Sequence, residues 1–247
     1  MSQRTALITG ANGDVGRALC ATFRGAGWKI IATDQGDTAG SPVDAYHAVE
    51  LARLCRDTTY QTERLACLRA ELGNGGLHVL INNAATQVVA PVEQLTTDDW
   101  HTTLDVNLIS PFLLTQALLS ELQEAQGSVI NIASIHARLT KPCFTAYATS
   151  KAALVGLTRS LAVELGGRVR VNAICPAAIK TSMLEAGFEN NPQGLAKLAS
   201  HHPSGCIGTT EDVARAALYL AEAGSSFLSG TVLGLDGGIA SRLHDPD

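Results

Sequence analysis

The sequence contains no cluster of basic residues; its 18 lysines and arginines are scattered and outnumbered by 23 acidic residues, for a formal charge of −5. Nucleic acids and acidic membrane surfaces are bound through concentrated positive charge, so neither is expected as a partner. No stretch reaches about 18 consecutive apolar residues, and the opening "MSQRTALITG" turns to glycine before a signal-length apolar segment develops. A soluble, cytoplasmic protein is expected. The six cysteines, at 20, 55, 67, 143, 175 and 206, include no CxxC pair, and His201 and His202 match no ligand spacing such as HExxH. Reduced structural thiols are expected, and no metal centre. Repeats and low-complexity tracts are also missing.

What the chain does have is a hydrophobic content of 46% against 17% charged over 247 residues, enough for one sizeable core. Seven short apolar runs, "TALIT", "KIIAT", "YHAVEL", "LHVLIN", "GSVINIA", "RVRVNAI" and "TVLGLD", alternate with helix-length segments. Nearly continuous apolar strands separated by crossovers argue for a parallel sheet covered on both faces, hence an α/β, doubly wound fold in a single domain over 1–247. Thr96 ahead of Asp99, and Thr209 ahead of Glu211 and Asp212, are helix-start signals. The longest irregular stretch, about 178–208, is read as a substrate-binding loop or lid.

Residues 9–16, "TGANGDVG", join the first apolar run to a helical pattern. A strand, a glycine turn and a helix start together make an anion site, since the first N–H groups of the helix point at the ligand. Asp14 is out of place there, because a carboxylate repels phosphate. Either the turn binds no phosphate, or Asp14 points away from it. Asp34, which ends "KIIATD", lies close to 20 residues further on, where an acid can accept from the adenosine ribose hydroxyls and repel a 2′-phosphate.

A second constellation is "YATSK", with Tyr147 and Lys151 at i and i+4 on one helical face. Tyrosine exchanges protons poorly at neutral pH unless a neighbouring ammonium stabilises the phenolate, a role open to Lys151. Ser134 lies thirteen residues upstream, just past a strand, from where its hydroxyl can hold a substrate oxygen beside Tyr147.

In combination these motifs resemble the short-chain dehydrogenase/reductase family along essentially the whole chain. The ordered series is "TGANGDVG", "NNAA" at 82–85, Asn107 in "LDVNL", Ser134 in "IASIH", "YATSK" and "PAAIKT" at 176–181. The resemblance implies a seven-stranded Rossmann-type sheet, a nicotinamide cofactor and tyrosine-driven hydride chemistry; with Asp34 at the ribose, NAD is the expected cofactor and interconversion of a secondary alcohol and a ketone the expected reaction. It assigns Tyr147 as general acid/base and Lys151 to the nicotinamide ribose and the phenol's pKa. Ser134 would polarise the substrate oxygen, and Asn107 would hold a water linking Lys151 to solvent. Gly10, Asn12, Gly13, Asp14, Val15 and Gly16 would form the pyrophosphate turn, Asp34 the ribose contact, and Glu50 and Leu51 the adenine wall. Asn83, Ala84 and Ala85 would pass under the cofactor, and Pro176, Ala177, Ile179 and Thr181 would meet the nicotinamide.

Three positions depart from the family pattern. Asp14 replaces a glycine of the commonest short form, while the glycines at 10, 13 and 16 match the spacing of the longer-chain branch. Gly13 is therefore expected to supply the close backbone approach, with Asp14 turned outward as a capping acid. Ala85 and Ala177 each replace a glycine and add one methyl group. A catalytically idle dinucleotide-binding protein is the alternative function. For the substrate, the wall residues His136, Arg138, Phe144, Ala178, Met183, Leu184 and Phe188 mix basic and apolar groups and select no class. The apolar helices around Asn107 and Tyr147 imply, with the resemblance, a homotetramer.

Overall fold

The computed structural model describes residues 3–188, 191–222 and 226–243. All seven apolar runs form strands: β1 (Thr5–Thr9), β2 (Lys29–Asp34), β3 (Ala45–Ala48), β4 (Val79–Asn82), β5 (Ser128–Ile132), β6 (Arg170–Pro176) and β7 (Val232–Leu235). They make one sheet in the order β3-β2-β1-β4-β5-β6-β7, with every pair parallel. This is the doubly wound arrangement expected from the strand pattern. β1, β4 and β5 are buried along their whole length, which is why their sequences show no polar alternation. The third run stops earlier than "YHAVEL" suggests, because the Val49 N–H turns back to the Asp34 carbonyl and Glu50 leads into a helix.

The helices are α1 (Asp14–Gly25), α2 (Leu51–Arg56), α3 (Thr58–Leu72), α4 (Thr97–Leu104), α5 (Ser110–Ala117), α6 (Leu119–Glu124), α7 (Thr145–Leu165), α8 (Ser182–Ala186), α9 (Pro192–His201) and α10 (Thr210–Glu222). One core packs α1 and α10 on one face of the sheet, centred on Leu19, Phe23, Ile30, Ile81 and Val213. The other packs the opposite face around Leu7, Leu54, Leu68, Leu80, Leu114 and Val171. Both helix-start signals hold: Thr96 and Asp99 exchange side-chain and backbone bonds at the start of α4, as do Thr209 and Asp212 ahead of α10. Between α4 and α5 the chain widens into a π turn, Asp105–Ile109, which carries Asn107.

Candidate active site

The sequence-predicted residues gather at the carboxyl edge of the sheet. Gly10 follows β1, Asp34 closes β2, Asn83 follows β4, Ser134 follows β5, and Pro176 closes β6. Strand order reverses between β1 and β4, the place where a crevice opens in a doubly wound sheet.

The three glycines of the turn do different work. Gly10 has φ +65°, and a Cβ there would lie 2.7 Å from the Ala84 Cα; a Cβ on Gly16 would lie 2.0 Å from the Gly10 carbonyl oxygen. Both are required by the fold itself. A Cβ on Gly13 would meet nothing nearer than 3.5 Å, so this glycine leaves open a space that the protein does not fill. Asn83 fixes the turn from below, its amide donating to the Thr9 and Gly10 carbonyls at 3.0 Å each. The Asn83 and Ala84 N–H groups both donate to Thr9 Oγ1 at 3.0 Å.

Asp34 stands beside this turn, accepting from the Asn12 N–H at 2.9 Å and the Gln35 N–H at 2.7 Å. The Asn12 side chain is held by the loop after β2: it donates to the Thr38 carbonyl and Tyr46 Oη and accepts from the Gly40 N–H. Asp14 faces out of the turn. Its Oδ2 accepts from both the N–H and the hydroxyl of Ser182, at 2.6 Å each, and its Oδ1 is paired with Arg17. These bonds hold the Asp14 carboxyl below the usual carboxylate range. Glu50 is exposed at the start of α2, with its N–H on Tyr60 Oη, whereas Leu51 is buried in the core.

The second half of the site is built on α7. Lys151 is buried, and its Nζ donates to the Ile132 carbonyl at 2.7 Å and lies 5.7 Å from the centre of the Tyr147 ring. Burial lowers the amine to about 8 from its usual 10.5. The Tyr147 phenol is raised above its ordinary value by burial, with Ser134 as an opposing hydrogen-bond partner. The spacing argument assigns a lowering to the ammonium, whereas desolvation is the largest influence on the phenol and raises it. Asn107 is fully buried and both its amide hydrogens are used, one on the Thr86 carbonyl and one on Ser150 Oγ, while its Oδ1 accepts from the Thr86 N–H. Ser150 in turn donates to the Tyr147 carbonyl. Asn107 thus ties the start of α7 to the segment after β4, a positioning contact that leaves its side chain no hydrogen for a bridging water.

His136 and Phe144 stack at 4.6 Å, and both meet Tyr147 edge-on. Of the other proposed wall residues, Arg138 and Met183 are exposed. Where the 178–208 segment is described, it holds two helices rather than a plain irregular loop. Its base is closed by a bridge between Ile179 and Gly208, with bonds from the Lys180 N–H to the Gly208 carbonyl and from the Gly208 N–H to the Ala178 carbonyl. Beyond this base run α8 and α9. Thr181 caps α8 through the Leu184 N–H, and Ala177 donates to the Leu235 carbonyl.

Sequence reasoning passed over Ser150, Thr86, Ser182 and Cys175. Ser150 lies inside "YATSK", one residue before Lys151, where the motif assigns roles only to Tyr147 and Lys151. Cys175 lies close enough to Ser134 and Lys151 for both to lower its thiol against a larger upward push from burial. A cysteine near the end of an apolar run carries no signal of that placement.

Comparisons with known proteins find the same fold and related sequences. The family model described as enoyl-(acyl carrier protein) reductase matches residues 10–240. The chain is 30% identical to 3beta-hydroxysteroid dehydrogenase 1 of Eggerthella lenta, over 96% of this chain and 93% of that one. Among solved structures, 4-hydroxyisoleucine dehydrogenase complexed with NADH superposes with a TM-score of 0.86 at 27% identity, covering 98% of this chain and all of the other. A gluconate 5-dehydrogenase from Burkholderia cenocepacia in complex with NADP and tartrate also gives 0.86 at 27% identity, covering 98% and 97%.

Proposed function

The chain belongs to the short-chain dehydrogenase/reductase family of oxidoreductases, and from that premise we propose that it interconverts a secondary alcohol and a ketone with NAD, using Tyr147 as general acid/base. The observation that carries this reading is the cluster of Tyr147, Ser134 and the buried Lys151 at the carboxyl end of β5, on the same sheet edge as the open space at Gly13. The turn fits a dinucleotide: Gly13 leaves a cradle that a Cβ would fill, and Asp34 ends β2 with lone pairs left after its two backbone bonds. Solved relatives carry either NADH or NADP. NAD is favoured here because Asp34 opposes a 2′-phosphate. Asn12 is tied into the loop after β2, and Arg17 is paired with Asp14.

Bound at this edge, the nicotinamide supplies the two-electron half of the reaction as hydride donor or acceptor. The protein's own residues supply the rest. Ser134 holds the substrate oxygen, and Tyr147 transfers a proton at that oxygen. The phenol is protonated at neutral pH, as an ordinary tyrosine is, and desolvation pushes it further the same way, so it can donate to a carbonyl. Lys151, near 8, is mostly charged at pH 7 and stabilises the phenolate left after donation. Asn107, through Ser150, fixes the first turn of α7 so that phenol and amine keep their relative position.

Tyr147→Phe keeps the ring packing and removes the hydroxyl. Turnover of a ketone or alcohol panel should fall roughly 100- to 10,000-fold while NADH fluorescence still reports binding. Near-native turnover in this variant would rule the mechanism out, and a native protein that binds NADH but turns over nothing in the panel would favour an idle dinucleotide-binding role.

A further inference from the structure

We propose that Asp14 is a positioning residue that latches α8 to the glycine turn, so that the substrate side and the dinucleotide side of the cleft open together. The proposal rests on the reading of that turn as the dinucleotide site. Asp14 is the first residue of α1 and Ser182 the first of α8, 168 residues later, yet one carboxylate oxygen takes both the N–H and the hydroxyl of Ser182. The other oxygen is paired with Arg17, whose guanidinium also donates to the Asn12 carbonyl. Carboxylate, guanidinium and turn backbone therefore form one unit facing α8. Hydrogen bonds to a charged acceptor are stronger than neutral ones.

Apart from the Thr181 cap and the bridge at its base, α8 has little apolar burial among the described residues. None of its residues is buried, Met183 is 68% exposed, and Ser182 and Glu185 are exposed as well. The ion pair of Lys180 with Glu185 stays within the segment and lies at the surface. A cleft of about 550 Å³, reaching from Arg17 and Ala21 on α1 to Glu185 and to Thr209 and Glu211 at the start of α10, separates α8 from the helices beside it. Apolar packing is thus not what holds α8 against α1, and Asp14 bridges the gap by accepting hydrogen bonds from Ser182. Because the same residue begins the helix whose first turn faces the cofactor space, and because Thr181 directly precedes Ser182, moving α8 away pulls on both halves of the site.

The test uses the whole protein with Asp14→Gly, Asp14→Asn and Ser182→Ala. Amide hydrogen exchange over 182–187 is followed without added ligand, and NADH dissociation is followed by stopped-flow fluorescence. Asp14→Gly should speed exchange in this segment by about tenfold or more, with the β1 and β5 amides unaffected, and Ser182→Ala should speed it several-fold. Asp14→Asn, which keeps an acceptor oxygen, should recover most of the protection. NADH should leave Asp14→Gly faster than it leaves the native protein. A carboxylate that merely repels phosphate gives the opposite sign, slower dissociation once it is removed, and that result overturns the latch. So does unchanged exchange in both Asp14→Gly and Ser182→Ala, or Asp14→Asn exchanging as fast as Asp14→Gly. Should Asp14→Gly fail to fold, Ser182→Ala, at an exposed position, decides the question. A native protein that binds no NADH refutes the dinucleotide reading, while the exchange data still judge the latch.

Discussion

Replacing Lys151 with methionine should reveal a pH-dependent penalty that the native fold carries in its interior. The amine is 2% exposed, and burial lowers it from 10.5 to about 8. A lysine that holds its proton less tightly when folded opposes folding wherever the unfolded chain is protonated. The penalty is full below about pH 8, shrinks as pH rises from there to 10.5, and vanishes above that. At about 1.4 kcal/mol per tenfold change in proton affinity, it amounts to about 3 kcal/mol at pH 7 and less than about 1 kcal/mol at pH 10. Methionine has a similar length but leaves the Ile132 carbonyl without its donor. That loss, about 1–3 kcal/mol, does not depend on pH, so the slope of the difference is the informative quantity. The measurement is urea unfolding followed by the fluorescence of Trp28 and Trp100, at fixed protein concentration, from pH 7 to 10. A Cys175→Ala background removes the neighbouring thiol from the titration. Native stability should rise relative to the variant by about 2 kcal/mol or more across this range. A flat difference, or one that falls, would refute the assignment of a desolvated amine.

The turn glycines should separate fold from function. Gly16→Ala places a Cβ 2.0 Å from the Gly10 carbonyl oxygen and should yield no stably folded protein by circular dichroism; Gly13→Ala, at φ −69°, should be as stable as native or up to about 1 kcal/mol more so, yet bind NADH about tenfold more weakly. Native kcat/KM should favour NAD over NADP by about tenfold or more, and Asp34→Ala should narrow that ratio; equal efficiencies in the native protein would contradict the role given to Asp34. Ile109, Phe112 and Val163 are exposed apolar residues around the π turn and on α7, in line with pairing between copies; light scattering at micromolar concentration should give a tetramer mass, and a monomer mass refutes it.

The strands were legible because burial on both faces leaves a one-dimensional signal, a short apolar run with polar flanks. The spacing of Tyr147 and Lys151 was legible because a helix fixes i and i+4 on one face. What could not be read was anything set by three-dimensional packing. Spacing brings an amine near a phenol, but only the fold decides that both are desolvated, and that reversed the expected direction for Tyr147. Asn107 could be picked out by its motif. Its partners, Thr86 and Ser150, depend on where the π turn sits against α7. Asp14 was conspicuous as an acid in a glycine turn, and its outward orientation was among the expectations. Ser182 as its partner was not, since no local pattern links positions 168 residues apart.

The way each part of the site is held also bears on how the protein could change substrate. Thr9, Gly10, Asn83 and Ala84 are joined by backbone-directed bonds and by contacts with no room for a Cβ, and Lys151 and Asn107 are buried. These groups therefore sit on the parts of the fold least free to move. The segment proposed to face the substrate is built the other way, since α8 buries none of its residues and is tied down by hydrogen bonds that Ser182 donates to Asp14. Substitutions at Met183 or Leu184 have almost no core packing to disturb, and their effects on stability should stay within about 0.5 kcal/mol. Any shift in preference among ketones that they cause is then separable from unfolding, which makes α8 the place to look for what selects the substrate.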